Sequence, residues 1–178
     1  MACKLGHLRR RLPNLRALAL AGLAVCMMAR SQVAEVASPG PREAKANHFN
    51  DPFLQVTGGI ADCPVPEGPE ITRAEMLAQS HGRSERGTSC YQAGRCRLPN
   101  AYLYDQDIIA RAAKALAYDG RFGDTSVWLL GQRRWVWLRG CVRSTGQAQE
   151  LERLVRDLDD VEAVVNELTV RAKPDSGR

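Results

Sequence analysis

The most informative segment of the sequence is Arg133-Arg134-Trp135-Val136-Trp137-Leu138-Arg139-Gly140-Cys141-Val142-Arg143-Ser144. Its residues alternate in the way that predicts a β-strand, with successive side chains on opposite faces. One face is aliphatic and holds Val136, Leu138, Gly140 and Val142. The other face holds Trp135, Trp137, Arg139 and Cys141. Both faces carry apolar surface that is costly to leave in water, so the neighbouring elements must decide which one meets the core.

The sequence before this strand predicts one helix and one further strand. Asp105 is a candidate N-cap for a helix with an apolar stripe at helical spacing, which ends at Asp119-Gly120. Residues 127–130 then predict a strand, and a hairpin around Gly131-Gln132-Arg133 would join it to a strand over residues 134–142.

The sequence after this strand predicts a second helix and a last strand. Ser144 and Gln147 form a capping-box signature that opens an amphipathic helix. Asp159-Asp160 ends that helix, and residues 161–170 alternate as a strand before a polar tail over residues 173–178.

The element order predicts an α+β fold of the αββαβ type, with a three-stranded sheet and two helices on one of its faces. Two helices need an apolar sheet face, which Val136, Leu138 and Val142 supply together with Val127 and Leu129. Gly140 would let one of these helices approach the sheet closely.

The segment before the predicted domain is irregular. Residues 31–47, rich in Ser, Ala, Pro and Gly, predict a flexible linker. Residues 48–100 contain five prolines and three cysteines and predict an extension with little regular structure. The exception is a short helix over residues 72–80, because Thr72 and Glu75 form a capping box.

The N-terminus predicts export. Residues 1–30 contain six Lys and Arg and no acidic residue, and the uncharged run 17–29 is too short to span a membrane. This is the pattern of a signal peptide, which places the rest of the chain in the periplasm. An uncleaved N-terminal anchor is the alternative, as is lipidation at Cys26, although Val25 departs from a lipoprotein box. The net charge of +5 also comes from this segment, so the sequence does not predict nucleic-acid binding.

Four cysteines follow the signal, and in an oxidising compartment they predict two disulfides with three possible pairings. The simplest pairing is Cys90 with Cys96 and Cys63 with Cys141. In a reducing compartment the same cysteines, with His81, would predict a zinc site instead.

Two short motifs resemble a known family when they are taken in order. Val136, Leu138, Gly140 and Val142 give V-x-L-x-G-x-V, and after the second helix Val164, Asn166 and Leu168 give V-x-N-x-L. Over residues 101–172 this pattern resembles the BON (bacterial OsmY and nodulation) domain family. The resemblance implies an αββαβ fold, an envelope location in Gram-negative bacteria, and non-enzymatic roles in phospholipid binding and in protection against osmotic and other stress. The sequence departs from the family at Asp160, where Gly is frequent, and in having one such domain where many members have two.

Catalytic chemistry is not indicated. His48 and His81 have no nucleophile or carboxylate at a telling spacing, and no phosphate-binding loop or metal-binding helix is present in the sequence. We therefore predict no enzymatic activity, no cofactor and no metal, and keep a thiol- or metal-dependent enzyme as the less favoured alternative.

Two features predict binding. Arg83, Arg86, Arg95 and Arg97 flank the Cys90/Cys96 pair and could contact lipid phosphates, although a solvated loop is the simpler interpretation. Trp128, Trp135 and Trp137 lie with Cys141 on the sheet face that the helices leave uncovered. That face predicts either an interface with a membrane or a protein, or a surface that residues 48–100 cover through a disulfide from Cys141; the second alternative is favoured.

Together these features predict a non-enzymatic periplasmic envelope protein that binds a membrane phospholipid surface or an envelope partner. A structural subunit of an envelope assembly, with the tryptophan-lined face as its protein interface, is the alternative.

Overall fold

The computed structural model describes residues 43–172 of the chain. The predicted signal peptide with Cys26, most of the predicted linker and the polar tail lie outside the described residues.

The sheet has four strands in the order β1-β2-β3-β4: β1 (Phe53–Gln55), β2 (Ser126–Gln132), β3 (Trp135–Val142) and β4 (Ala163–Val170). β1 and β3 are both antiparallel to β2, whereas β4 is parallel to β3. The prediction of three strands is therefore one strand short. β1 has only three residues, too few for alternation to be recognised, and it becomes a strand by pairing Phe53 with Leu130 and Gln55 with Trp128.

Two helices cover one face of this sheet, as predicted. They are α2 (Asp105–Tyr118) and α3 (Thr145–Arg156), and α3 is the crossover that parallel β3 and β4 require. Their buried residues form one cluster with the aliphatic face of the sheet: Ile108, Ile109, Ala112, Leu116, Val127, Leu129, Val136, Leu138, Val142, Ala148, Leu151 and Val155. Phe122, in a short 3-10 turn after α2, is fully buried in the same cluster. The aliphatic face of β3 is therefore the core face.

The helix predicted over residues 72–80 is more than twice as long. It is α1 (Arg73–Gln92), and both halves of the Thr72/Glu75 capping box are present. It contains Gly82 and Gly87, which have low helix propensity. Tertiary contacts stabilise it there, since a Cβ at Gly87 would lie 2.6 Å from Oδ1 of Asn100. Residues 48–100 are thus less irregular than their composition predicts.

The hairpin between β2 and β3 turns at Arg133-Arg134, two residues later than its glycine suggests. Both turn residues have positive φ (57° and 66°), as in a type I′ turn, although that turn favours Asn and Gly. The carboxylate of Asp105 stabilises the turn because it accepts hydrogen bonds from the backbone N–H of Arg133 and of Arg134, both at 2.7 Å. The prediction that Asp105 is the N-cap of α2 is wrong. Asp105 is the first residue of the helix, and Tyr104 occupies the N-cap position without a capping hydrogen bond from its side chain.

This buried carboxylate gives the fold a pH dependence. Burial raises the pKa of Asp105 to about 6, and the two amide donors oppose the shift; nearby Asp51 raises the pKa and Arg83 lowers it. The folded state then binds the proton more tightly than the unfolded chain does. Between about pH 4 and pH 6 this group should therefore lower the free energy of unfolding as the pH rises, by about 3 kcal/mol.

Urea denaturation at pH 4, 5, 6 and 7 checks this expectation when the protein is compared with the Asp105→Asn variant. The difference in stability between the two proteins should change over pH 4–6 and stay constant above. A constant difference over the whole range would show that Asp105 does not titrate there.

Two glycines of the sheet have roles other than those that the sequence predicts. Gly140 was predicted to make room for a helix, but its φ is 113° and a Cβ there would lie 2.2 Å from the carbonyl oxygen of Ser126 in β2. Gly140 thus permits the close approach of two strands. The close approach of a helix occurs at Gly131, where a Cβ would lie 2.9 Å from Cγ1 of Ile109 in α2.

Two polar residues fix β4 against its neighbours. Asn166 donates from Nδ2 to the carbonyl oxygen of Ala148 in α3, and its Oδ1 accepts from the N–H of Leu168. Asp160, before β4, has a φ of 68° and so adopts the left-handed conformation that Asp tolerates better than most residues. Its carboxylate accepts from Arg97 and Arg111.

Candidate functional site

The second face of the sheet carries the three tryptophans. In the β2/β3 register Trp128 lies opposite Arg139, Leu130 opposite Trp137, and Ser126 opposite Cys141, so these side chains share one face. The three tryptophans and Cys141 therefore lie on the face that α2 and α3 do not cover, as the alternation predicts.

One end of this face is closed by the cover, which we define as residues 60–71. A disulfide joins Cys63 to Cys141, and Oγ of Ser126 both accepts from the N–H and donates to the carbonyl oxygen of Ile60. Arg139 donates from Nη1 to the carbonyl oxygen of Glu67. The second disulfide joins Cys90 to Cys96. The prediction of disulfides is confirmed, and the pairing is the simplest of the three.

The three tryptophans differ in their exposure to water. Trp128 is only 6% exposed and Cys141 is fully buried, so neither can contact a membrane or a partner. Trp128 is for this reason not the binding residue that the sequence suggests. Trp135 and Trp137, nearer the hairpin, stay half-buried, with ring centroids 6.0 Å apart.

Arg83 is also not free to bind a phosphate. Its guanidinium forms two hydrogen bonds with the carboxylate of Asp51 (3.0 and 2.5 Å), and the side chains of the pair are 11% and 4% exposed. The guanidinium also lies between two rings, 4.1 Å from the centroid of Phe49 and 4.0 Å from that of Tyr102. Arg83 is therefore the anchor that attaches α1 to the chain segments before β1 and α2.

The other predicted arginines do not converge on the Cys90–Cys96 loop. Arg97 forms an ion pair with Asp160 at 2.6 Å, and Arg95 is exposed. Arg86, exposed on α1, lies instead at the groove that contains the two half-buried tryptophans.

We call this groove the tryptophan groove. Its volume is about 210 Å³. α1 supplies one wall and the β2–β3 hairpin the other, and Tyr102 lies between them. The lining side chains are Gln79, Arg83 and Arg86 from α1, Tyr102, and Gln132, Arg133, Trp135 and Trp137 from the hairpin. None of them is acidic.

The charge of the groove comes from two arginines. Among residues 43–172, Arg86 and Arg133 take part in no ion pair, whereas the charge of Arg83 is neutralised by Asp51. The guanidinium of Arg133 lies 5.3 Å from the centroid of the Trp135 ring. The groove thus combines two unneutralised guanidinium groups with half-buried indoles, which suits an anionic group attached to apolar material.

A second groove, of about 460 Å³, lies between the cover and β4. Residues 64–68 form one side, and the ion pair between Arg139 and Glu167 (2.7 Å) lies on the other. The lining has one cation, Arg139, and two acidic residues, Glu67 and Glu167, so this groove offers no comparable attraction for an anion.

The remaining features that we considered are a histidine, metal ligands and membrane-spanning helices, all within residues 43–172. His81 is exposed and contacts Glu85 one turn along α1. No group of three or more His, Cys, Asp or Glu among residues 43–172 is placed to hold a metal ion. No helix within that range is both long enough and apolar enough to cross a bilayer.

Reasoning from the sequence missed Asp51 and Tyr102 and gave Asp105 a different role. Asp51 and Tyr102 flank Arg83, and Asp105 holds the hairpin turn. Asp51 precedes Pro52 in a segment that the sequence predicts to be irregular, and an acidic residue in such a segment is usually exposed to solvent. One signal in the sequence could have pointed to the role of Asp105. A two-residue turn at Arg133-Arg134 needs hydrogen bonds from other parts of the chain, because neither arginine favours positive φ.

The structure is that of a small, disulfide-stabilised α+β domain with a basic, tryptophan-lined groove. Residues 104–172 match the family model described as BON domain. Residues 104–172 are therefore identified as a BON domain, and β1, the cover and α1 precede the matched residues. BON domains are in general non-enzymatic and bind phospholipid membranes. No curated protein matches the chain.

Proposed function

We propose that this protein is a non-enzymatic module of the periplasm that binds the phospholipid surface of an envelope membrane and contributes to envelope maintenance under osmotic or other stress. The observation that carries the proposal is the pair of half-buried indoles, Trp135 and Trp137, beside unneutralised arginines in a BON domain. Tryptophan is enriched at membrane–water interfaces because its ring is amphipathic. The basic first 30 residues support export, and two disulfides are typical of an oxidising compartment.

Replacing Trp137 with alanine tests this function. If about 100 Å² of ring surface enters the interface, its loss should weaken vesicle binding by roughly tenfold or more. Co-sedimentation of the full chain with phospholipid vesicles measures the change. Tyr118→Ala is the matched control, because Tyr118 is an aromatic residue that is 90% exposed and does not line the groove. Equal binding by both variants would contradict a membrane role for the groove.

The second candidate is a protein interface on the same face, as in a subunit of an envelope assembly. Trp135 and Trp137 favour it as well, because tryptophan is enriched in the energetic centres of interfaces. A protein that is captured by the unmodified chain but not by Trp137→Ala, without any binding to vesicles, would favour this candidate over the first.

A further inference from the structure

The tryptophan groove is built by two parts of the chain, one inside and one outside the residues that match the BON domain. Trp135, Trp137 and Arg133 lie within the residues that match the BON domain, whereas Arg86 lies on α1, which precedes them. The Arg83–Asp51 pair attaches α1 beside the hairpin and so brings Arg86 to the groove. The extension therefore adds a charged wall that residues 104–172 alone would lack.

The cation on the opposite wall is positioned by the hairpin. Asp105 holds the backbone of Arg133 in a left-handed conformation, and the side chain then reaches the ring of Trp135. Both guanidinium groups are thus carried by anchored elements, yet among the described residues neither is committed to a carboxylate. Guanidinium groups bind phosphate oxygens through parallel N–H donors, which makes arginine the residue of choice for phosphate recognition.

The remaining lining of the groove is unfavourable for a cationic ligand. No acidic side chain lines the groove to receive an ammonium group. The rings of Tyr102 and Trp135 each have a guanidinium group over one face, that of Arg83 and that of Arg133, and the positive charge of Arg133 opposes a second cation at this site. The carboxylate of Asp51 is occupied by Arg83 and by Nε2 of Gln132 at 2.6 Å. The groove is therefore complementary to an anion.

We propose that the tryptophan groove is a headgroup site in which Arg86 and Arg133 hold the phosphate of a membrane phospholipid between α1 and the hairpin, with Trp137 against the glycerol and acyl end. This inference rests on the proposed function and assigns its ligand to one site. The recognised element is the phosphate, so a headgroup with a phosphate and an amine binds through its phosphate.

Replacing both arginines with glutamine tests the site on the full chain. Two charge-assisted hydrogen bonds are lost, and we expect vesicle affinity to fall about a hundredfold, since each is worth about tenfold or more. The matched control is Arg95→Gln with Arg153→Gln, which removes the same charge from two exposed arginines outside the groove. The control should lose less than about tenfold, because it affects only the general attraction to the surface.

A second measurement reports the phosphate contact itself. Dihexanoyl phosphatidylglycerol and dihexanoyl phosphatidylcholine are soluble below their micelle concentrations, and their ³¹P resonances should broaden and shift on addition of the protein. The groove variant should abolish both changes and the control variant should keep them. Arg86→Lys with Arg133→Lys should restore part of the effect, because lysine binds phosphate as a point charge.

The outcomes separate the inference from the proposed function. If the unmodified chain binds vesicles and the two double variants bind equally well, the headgroup site is wrong and the membrane function stands. If the unmodified chain binds no vesicle, the membrane function is wrong. If inorganic phosphate at millimolar concentration gives the same ³¹P response and vesicles give none, the groove is a site for free phosphate and the inference is overturned.

Discussion

Replacing Arg83 with methionine should lower the free energy of unfolding by about 3–5 kcal/mol, as expected when one partner of a buried ion pair is removed. The variant leaves the carboxylate of Asp51, whose side chain is 4% exposed, without its cation and with Gln132 as its remaining side-chain donor. It also removes the contacts of the guanidinium with the rings of Phe49 and Tyr102, which are worth about 0.5–2 kcal/mol each. Urea denaturation measures the change.

The neighbouring arginine of α1 provides the control. Arg86→Met removes the same charge from the same helix but breaks no ion pair among the described residues. Its free energy of unfolding should therefore stay within about 0.5 kcal/mol of that of the unmodified protein. The double variant Arg83→Met with Asp51→Asn should recover part of the lost stability, because no buried charge is then left unpaired. If Arg83→Met costs no more than Arg86→Met, the pair does not anchor α1.

Loss of the Cys63–Cys141 disulfide should have an effect of similar size. Its cysteines are 78 residues apart, and closing a loop of that length is worth about 4–5 kcal/mol by the chain-entropy estimate. The Cys90–Cys96 disulfide closes a loop with a separation of 6 residues and should contribute about 2 kcal/mol. Urea denaturation of Cys63→Ser with Cys141→Ser, beside Cys90→Ser with Cys96→Ser, checks the order.

The first of these double variants should also change the fluorescence of the protein. Once the cover is no longer held to Cys141, Trp128 should gain exposure to water, and the tryptophan emission should shift to longer wavelength. Equal destabilisation by both double variants, with unchanged emission, would mean that the hydrogen bonds of Ser126 and Arg139 hold the cover without the disulfide.

Much of the fold follows from local patterns that the sequence carries. Alternation predicts β3 and its core face, helical spacing predicts α2 and α3, and the capping residues Thr72 and Ser144 predict where α1 and α3 begin. These signals are strong because each helix or strand must bury one of its own faces, which imposes a periodic pattern on its own residues. β1 has no such signal, since three residues become a strand only where β2 offers them an edge.

The tertiary structure decided which of the candidate residues are free to bind. Arg83 and Arg86 are three residues apart on one helix and look alike in the sequence, yet only Arg83 has a buried carboxylate opposite it. Trp128 and Trp137 both alternate onto the same face, but the first is only 6% exposed, whereas the second is half-buried. The physical reason is that the charge available to a ligand and the area exposed to it depend on residues distant in the chain, such as Asp51 and Cys63. The periodicity of the sequence determined which face of each helix and strand meets the core. Contacts between residues distant in the chain determined which parts of the other faces a ligand can reach.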